Sequence, residues 1–229
     1  MTAEVPDGRS TRWEAHRRTR REELVDAAVR AIRVHGAGVG MDEVAAEAAT
    51  SKAAVYRYFA DRGDLYVAVC TRVTERLVAQ LSSALAAERE PGRQLAAAID
   101  AYLRVIEADP DVYRFVVARP VPDRLGGAGC ADPVRDLSAL VGDHVATLIA
   151  TRLEDAGVES SSAGPWGHGI VGLVRSAADH WLDQRSPMSL PMSRADLRDH
   201  LTDLAWSGLA GILAATGREV DPTPLTWRS

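Results

Sequence analysis

The stretch ATSKAAVYRYFADRGDLY, Ala49 to Tyr66, sets the chain's only lysine, Lys52, close to Tyr56, Arg57 and Arg62. Cationic and hydroxyl side chains clustered this way can meet negative charge: an ammonium or guanidinium neutralises a phosphate, and a guanidinium also matches the edge of guanine. A second basic stretch, RSTRWEAHRRTRR from Arg9 to Arg21, holds six arginines against the single acid Glu14. For Lys52 and Arg57 taken singly the competing reading is a solvated helix face. For the arginine run it is a solubilising tail.

The overall charge of −5 argues against a surface basic all over, but it hides this local distribution. Residues 1 to 65 carry eleven basic and eleven acidic side chains, and residues 66 to 229 carry sixteen and twenty-one, so the acidity lies in the second part.

Catalytic chemistry finds little support. There is no glycine-rich phosphate loop after a strand, no HExxH, no GxSxG and no cysteine cluster. The acid pairs Glu22 with Glu23 and Asp42 with Glu43 are adjacent in sequence and would point in different directions on a helix. His144, His168 and His180 are too far apart for a metal-site inference, so neither metal nor cofactor is expected. Cys70 and Cys130 have no metal-like or redox-like spacing. Without an apolar leader or a membrane-length apolar run, a reduced cytoplasmic protein with no membrane partner is expected.

The elements that must position these groups are helices. At 229 residues the chain can bury a substantial core, and Ala and Leu dominate while runs alternating Val, Ile and Thr are scarce, which predicts an all-α fold. Residues 1–17 lack an apolar period and read as a flexible basic arm. From Thr19 to His35, Leu24, Ala27, Ala28, Ala31 and Ile32 recur at helical spacing before Gly36. Short helices follow over Met41 to Ala49 and Lys52 to Phe59, with Ser51 as N-cap between them, making a helix-turn-helix. Asp61 caps a long helix whose Leu65, Val69, Val73 and Leu77 continue one face. Further helices are predicted over residues 93–108, 111–118, 133–156, 166–184 and 194–216. The expected organisation is therefore an arm, a headpiece over 18–65, a helical domain over 66–216 and a tail over 217–229.

The run REELVDAAVRAIRVHGAGVGMDEVAAEAATSKAAVYRYFADRGDLYVAV, from near Arg20 to Val69, combines an apolar helix, the VAAEA helix, an SKxxVYxYF segment and FxxRxxL. It resembles the TetR family of bacterial transcriptional regulators. The resemblance implies an N-terminal three-helix helix-turn-helix domain that binds a double-stranded operator, then a helical ligand-binding and dimerisation domain. It also implies repression relieved by a small effector. Lys52, Ala53, Ala54, Tyr56, Arg57 and Arg62 are the expected contacts, with Gly40 and Met41 at the start of the first helix of the pair and Arg17, Arg18 and Arg20 from the basic stretch. Arg57 stands where many relatives have histidine, Arg62 where they have lysine, and Gly40 and Met41 where they have hydroxyl side chains. The basic arm would compensate by tracking phosphates.

In the second domain the resemblance places an effector cavity among the central helices and the dimer on the last two. Apolar stripes nominate Ile170, Val174 and Ala177, and Leu197, Leu201, Leu204 and Gly208, for a homodimer; filling of an intrachain core is the alternative. Pocket candidates are Tyr102, Ile106, Tyr113, Phe115, Val116, Leu137, Val141, His144, Leu148, His168, Val171, Arg175 and Trp181, where core packing competes with ligand contact. Their character suits a hydrophobic effector such as an acyl chain or acyl thioester, with Arg175 or Arg119 against an anionic head group. A helical interaction protein without specific DNA binding, and a transcriptional activator, stand as alternatives.

Overall fold

The computed structural model describes residues 8–117, 133–155, 157–183 and 192–215, and these are predominantly α-helical. In order they are α1 (Gly8–His35), α2 (Met41–Glu47), α3 (Lys52–Tyr56), α4 (Arg62–Ala87), α5 (Pro91–Ala108), α6 (Pro110–Val117), α7 (Pro133–Asp155), α8 (Ala163–Asp183) and α9 (Arg194–Ala215). Among the described residues there is no strand.

α1 begins eleven residues before the expected Thr19, so residues 8–17 are helical where a flexible arm was predicted. Nothing in Arg9–Arg18 breaks a helix, and Arg, Ala and Glu favour one, so the helix nucleated by the buried half extends outward. Leu24, Ala27, Ala28, Ala31 and Ile32 are buried, as their spacing requires. Gly36 ends the helix at φ +77°, its N–H donating to Ile32 O at 2.8 Å.

The helix-turn-helix is tighter than predicted. α2 stops at Glu47 because Ala49 takes φ +49°, the left-handed region, and the turn closes with Thr50 N–H donating to Ala45 O at 2.9 Å. Ser51 Oγ accepts from Ala54 N at 3.1 Å and caps α3. α3 ends at Tyr56, short of Phe59, because Arg57 and Tyr58 donate to Ala54 O and Val55 O, an i to i+3 pattern that winds the last turn tighter. Val44, Val55 and Phe59 are buried beneath it.

The chain divides into two compact units, with the boundary inside α4 between Val73 and Thr74. The first also contains α6 (Pro110–Val117), in the stretch expected to belong to the effector domain. Three contacts explain this. Arg33 donates to both carboxylate oxygens of Asp109 at 2.7 Å, Tyr66 Oη donates to Val116 O at 3.0 Å, and the Tyr66 and Phe115 rings lie 5.3 Å apart. The bidentate bond to Asp109 also raises the Arg33 pKa.

In the second unit α9 packs on α5 and buries Leu197, Leu201 and Ala205, with Leu103 and Ile106 also buried in α5. Arg194 fixes the start of α9 by donating to Asp100 at 3.0 Å and Glu107 at 2.8 Å. α7 and α8 approach to backbone contact: a Cβ on Gly167 would lie 2.5 Å from Ala146 N, so only glycine fits.

The strained Ala49 yields a stability prediction. Ala49→Gly relieves the left-handed penalty and raises stability by about 0.5–1 kcal/mol after the added chain entropy is offset, read as a higher urea midpoint with unchanged slope.

Candidate nucleic-acid interface and ligand cavity

Within the first unit the starts of α2, α3 and α4 are tied together. Lys52 Nζ, at the first residue of α3, lies 2.8 Å from Asp42 Oδ2 in α2. Arg62, which opens α4, donates to Val39 O at 2.6 Å, one residue before Gly40. Glu43 Oε2 accepts from Gly40 N at 2.9 Å, supplying the cap that glycine lacks.

Ala53, Tyr56 and Arg57 share the outward face of α3 at i, i+3 and i+4, with Lys52 beside them, and Tyr56 is 44% exposed. This face presents a methyl, a phenol, a guanidinium and an ammonium. Ala54 is half-buried and stands behind it. Met41 does not belong to the surface; it is buried because its side chain opens α2 against the core, which corrects its nomination as a contact. Gly40 is half-buried with its N–H engaged, and Arg62 is engaged by a carbonyl.

The cations of this unit sort into two groups. Arg20 pairs with Glu23, Arg21 with Asp64, Arg30 with Glu47, Arg33 with Asp109 and Arg72 with Asp26. Arg17, Arg18 and Arg57 have no carboxylate partner among the described residues. Lys52 is intermediate: the hydrogen bond to Asp42, and then its charge, raise the ammonium's pKa, but the pair is exposed and open to competition from a phosphate.

The second unit holds a cavity of about 760 Å³ lined by α4, α5, α7, α8 and α9. Its walls are apolar, including Leu81, Leu95, Ile149, Trp166 and Trp206, with Gln94, His144, Arg152 and Asp155 as the main polar groups. Of the residues expected here it takes Leu137, Val141, His144 and Leu148. Tyr113, Phe115 and Val116 instead lie on α6 in the first unit. Ile106 is buried and Tyr102 half-buried on α5 away from the lining, and Val171 is half-buried on α8. Arg175 is exposed, His168 is engaged with Asp143 at 3.0 Å, and Trp181 donates its indole N–H to Met192 O at 2.8 Å. Arg119 lies outside the described residues. The missed wall from α4 was detectable as a continuation: Val78, Leu81 and Leu85 extend the helical period beyond Leu77.

The expected dimer stripes turn inward. Ile170 lines the cavity, Val174, Leu197 and Leu201 are buried within the protomer and Ala177 is half-buried; only Leu204, 58% exposed, and Gly208 face outward. The exposed face keeps Leu204 and Gly208 and adds Ser207 and Gly211 on α9, with Gly169, Gly172, Leu173 and Ser176 on α8. A Cβ added to any of these four glycines would meet nothing within 4 Å.

Among the described residues no cluster of His, Cys, Asp and Glu could hold a metal ion, and no helix is long and apolar enough to cross a membrane.

Residues 24–69 match the family described as bacterial regulatory proteins, tetR family, and residues 80–221 match the tetracyclin repressor-like C-terminal domain. The chain is 36% identical over 212 residues to Rv0472c, an HTH-type transcriptional regulator of Mycobacterium tuberculosis, covering 92% of this chain and 86% of that protein. It is 28% identical over 173 residues to the HTH-type transcriptional activator FasR of Mycolicibacterium smegmatis, covering 76% and 74%. The transcriptional regulator FadR of Bacillus subtilis, solved in complex with stearoyl-CoA, shares the fold with a TM-score of 0.61 at 12% identity, covering 80% of this chain and 96% of that one. The family and these relatives are transcriptional regulators, not enzymes. With a helix-turn-helix headpiece and a helical second unit each matched in sequence, the chain belongs to the TetR family of bacterial transcriptional regulators.

Proposed function

We propose that this regulator is a cytoplasmic homodimeric repressor that reads a pseudopalindromic operator through α3 and is released by a small hydrophobic effector. The observation that carries this reading is the outward face of α3, where Lys52, Ala53, Tyr56 and Arg57 are exposed over a core fixed by Val55 and Phe59. Lys52 and Tyr56 position the protein on phosphates, Arg57 reaches a phosphate or guanine, and the Ala53 methyl meets thymine. Arg62 and Gly40 support this face structurally, and Arg20 is held by Glu23.

The cavity supports an effector. The space is partly open to solvent, and its apolar walls favour an apolar guest over water. An acyl chain or acyl thioester fits, with Arg152 as the cationic lining group in place of Arg175. That FadR was crystallised with stearoyl-CoA supports the same class. Release requires the effector to prefer a state in which the two α3 helices no longer match successive major grooves.

The homodimer is supported by the glycines of α8 and α9. Four exposed helix-interior glycines cost roughly 3–4 kcal/mol relative to alanine, with no close approach among the described residues to explain them. Close packing against a second copy of the same face explains them. Activation is the second reading, favoured by the name of FasR; it differs in operator placement, which no residue encodes.

Three outcomes are expected. Selection from a random duplex pool with purified protein enriches one pseudopalindrome; Lys52→Ala weakens binding to it at least tenfold, and Asp42→Asn tightens it several-fold by freeing Lys52. Enrichment of no sequence would rule out the regulator as a specific DNA reader in its free form. Palmitoyl- or stearoyl-CoA near a hundredfold excess over Kd stabilises the protein by about 2.7 kcal/mol, and Ala98→Phe, which fills the cavity, removes that thermal shift. Gly172→Leu converts the dimer to monomer in sedimentation, whereas an unchanged sedimentation coefficient would place the interface elsewhere.

A further inference from the structure

The cavity of the second unit is not uniform along its length. On α7 its lining runs from Leu137 to Asp155, and the stretch from Leu137 to Arg152 measures about 22 Å at 1.5 Å per residue. Leu140 and Leu148 belong to this lining and are 60% and 41% exposed, large apolar groups that an extended apolar chain would cover. Where α7 begins, its lining side chains are Leu137, Leu140 and Val141; Arg152 and Asp155 stand at the opposite end.

The direction of the helices gathers several termini at the Arg152 end. α7 ends and α8 begins there, where Ile149, Leu153 and Ala163 form a buried cluster with Trp166 and Leu209 packed against it. α9 runs antiparallel to α5: Arg194 at its start pairs with Asp100 and Glu107 in the second half of α5, so the part of α9 that carries Leu209 meets the start of α5. Gln94 ties that start to the end of α4 by donating to Glu88 O at 3.0 Å.

The charge at this end is one cation among acids. Among the described residues Arg152 is the only arginine or lysine in the lining; it is exposed and has no carboxylate partner, although Asp155 follows three residues on. Over residues 88–93 and 152–159, Arg89, Arg93 and Arg152 are outnumbered by Glu88, Glu90, Glu154, Asp155 and Glu159. A single carboxylate can be met by the unpaired guanidinium in the bidentate form the two groups favour, whereas a cluster of phosphates would meet an excess of negative charge.

We propose that the effector is a single-chain amphiphile with one negative charge, a long-chain carboxylic acid in its free form, bound with its carboxylate on Arg152 and its chain along α7 toward Leu137. The proposal deepens the reading of the cavity as an effector site and rests on it. It selects the free acid over the coenzyme A thioester, because the thioester replaces the carboxylate by a neutral carbonyl and brings several phosphates among the acids of this end. Arg152 is then the residue that determines specificity, and Asp155 the one that rejects polyanions.

The test uses the full chain and three probes of equal chain length, palmitate, palmitoyl-CoA and hexadecanol, with dissociation constants from titration calorimetry. Palmitate is expected to bind at least about tenfold more tightly than either of the others, the effect of one charge-assisted pair. Arg152→Gln is expected to remove the advantage over hexadecanol while hexadecanol itself still binds, which also shows that the variant is folded. Asp155→Asn is expected to tighten palmitoyl-CoA more than palmitate. Trp166 packs at the Leu153 end, so stearic acid brominated near its carboxyl is expected to quench Trp166 fluorescence more than stearic acid brominated near its methyl end, the signal being the difference between wild type and Trp166→Phe. Three results would each overturn the proposal and leave the cavity reading standing: palmitoyl-CoA binding as tightly as palmitate, a preference for palmitate over hexadecanol that survives Arg152→Gln, or the reverse order of quenching. Binding of none of the three probes would overturn both.

Discussion

A helix of five residues has scarcely more than one hydrogen-bonded turn, and nucleating that turn is unfavourable on its own. α3 therefore exists only because its inner side is held: Val55 and Phe59 are fully buried, and Ser51 supplies the missing acceptor for Ala54 N. Everything the recognition face can do depends on this constraint. The exposed side chains at 52, 53, 56 and 57 carry the chemistry, but their spacing is set by Val55 between them. The same core accepts a strained alanine at 49, so the turn geometry outweighs a local backbone penalty of about 1–2 kcal/mol.

Holding α3 requires a larger body than a three-helix headpiece. α4 supplies Leu65 and Val69, and α6 closes the other side through Phe115 and Val116. Its attachment is polar as well as apolar, with Asp109 chelated by Arg33 and Val116 O capped by Tyr66. The consequence for signalling is topological. The DNA-reading unit contains a segment that follows directly on α5 of the cavity unit, and a single peptide bond from Ala108 to Asp109 joins them. α4 and α6 are thus both continuous in sequence with helical segments of the cavity unit.

The sequence exposed the helices, the turn between α2 and α3, the cap at Ser51 and the core role of Val44, Val55 and Phe59, because each rests on local chemistry or a helical period. Membership of α6 in the headpiece was not legible: Tyr113, Phe115 and Val116 look like any apolar helix face, and only the Tyr66 and Arg33 contacts decide which core they join. The same ambiguity misdirected the dimer stripes. Leu197 and Leu201 have the right spacing for an interface, but spacing cannot tell which partner an apolar face covers, and α5 covers this one. The helix-interior glycines of α8 and α9, which support the proposed interface, are residues that a hydrophobic pattern passes over.

Those glycines and the cavity present one physical problem from two sides. α8 and α9 each turn one face to the interior, where Ile170, Leu209 and Ala210 line the cavity, and the opposite face outward through Gly169, Gly172, Gly208 and Gly211. Helices this poor in propensity on one side and bordering an apolar cavity on the other have little reason to hold a single position alone. In the proposed assembly a partner protomer would constrain the outer face and the proposed guest the inner one. The two binding events would then act on the same pair of helices, and each would change the free energy of the other through the positions those helices adopt. On that reading, linkage between effector and dimer geometry requires no dedicated pathway through the fold.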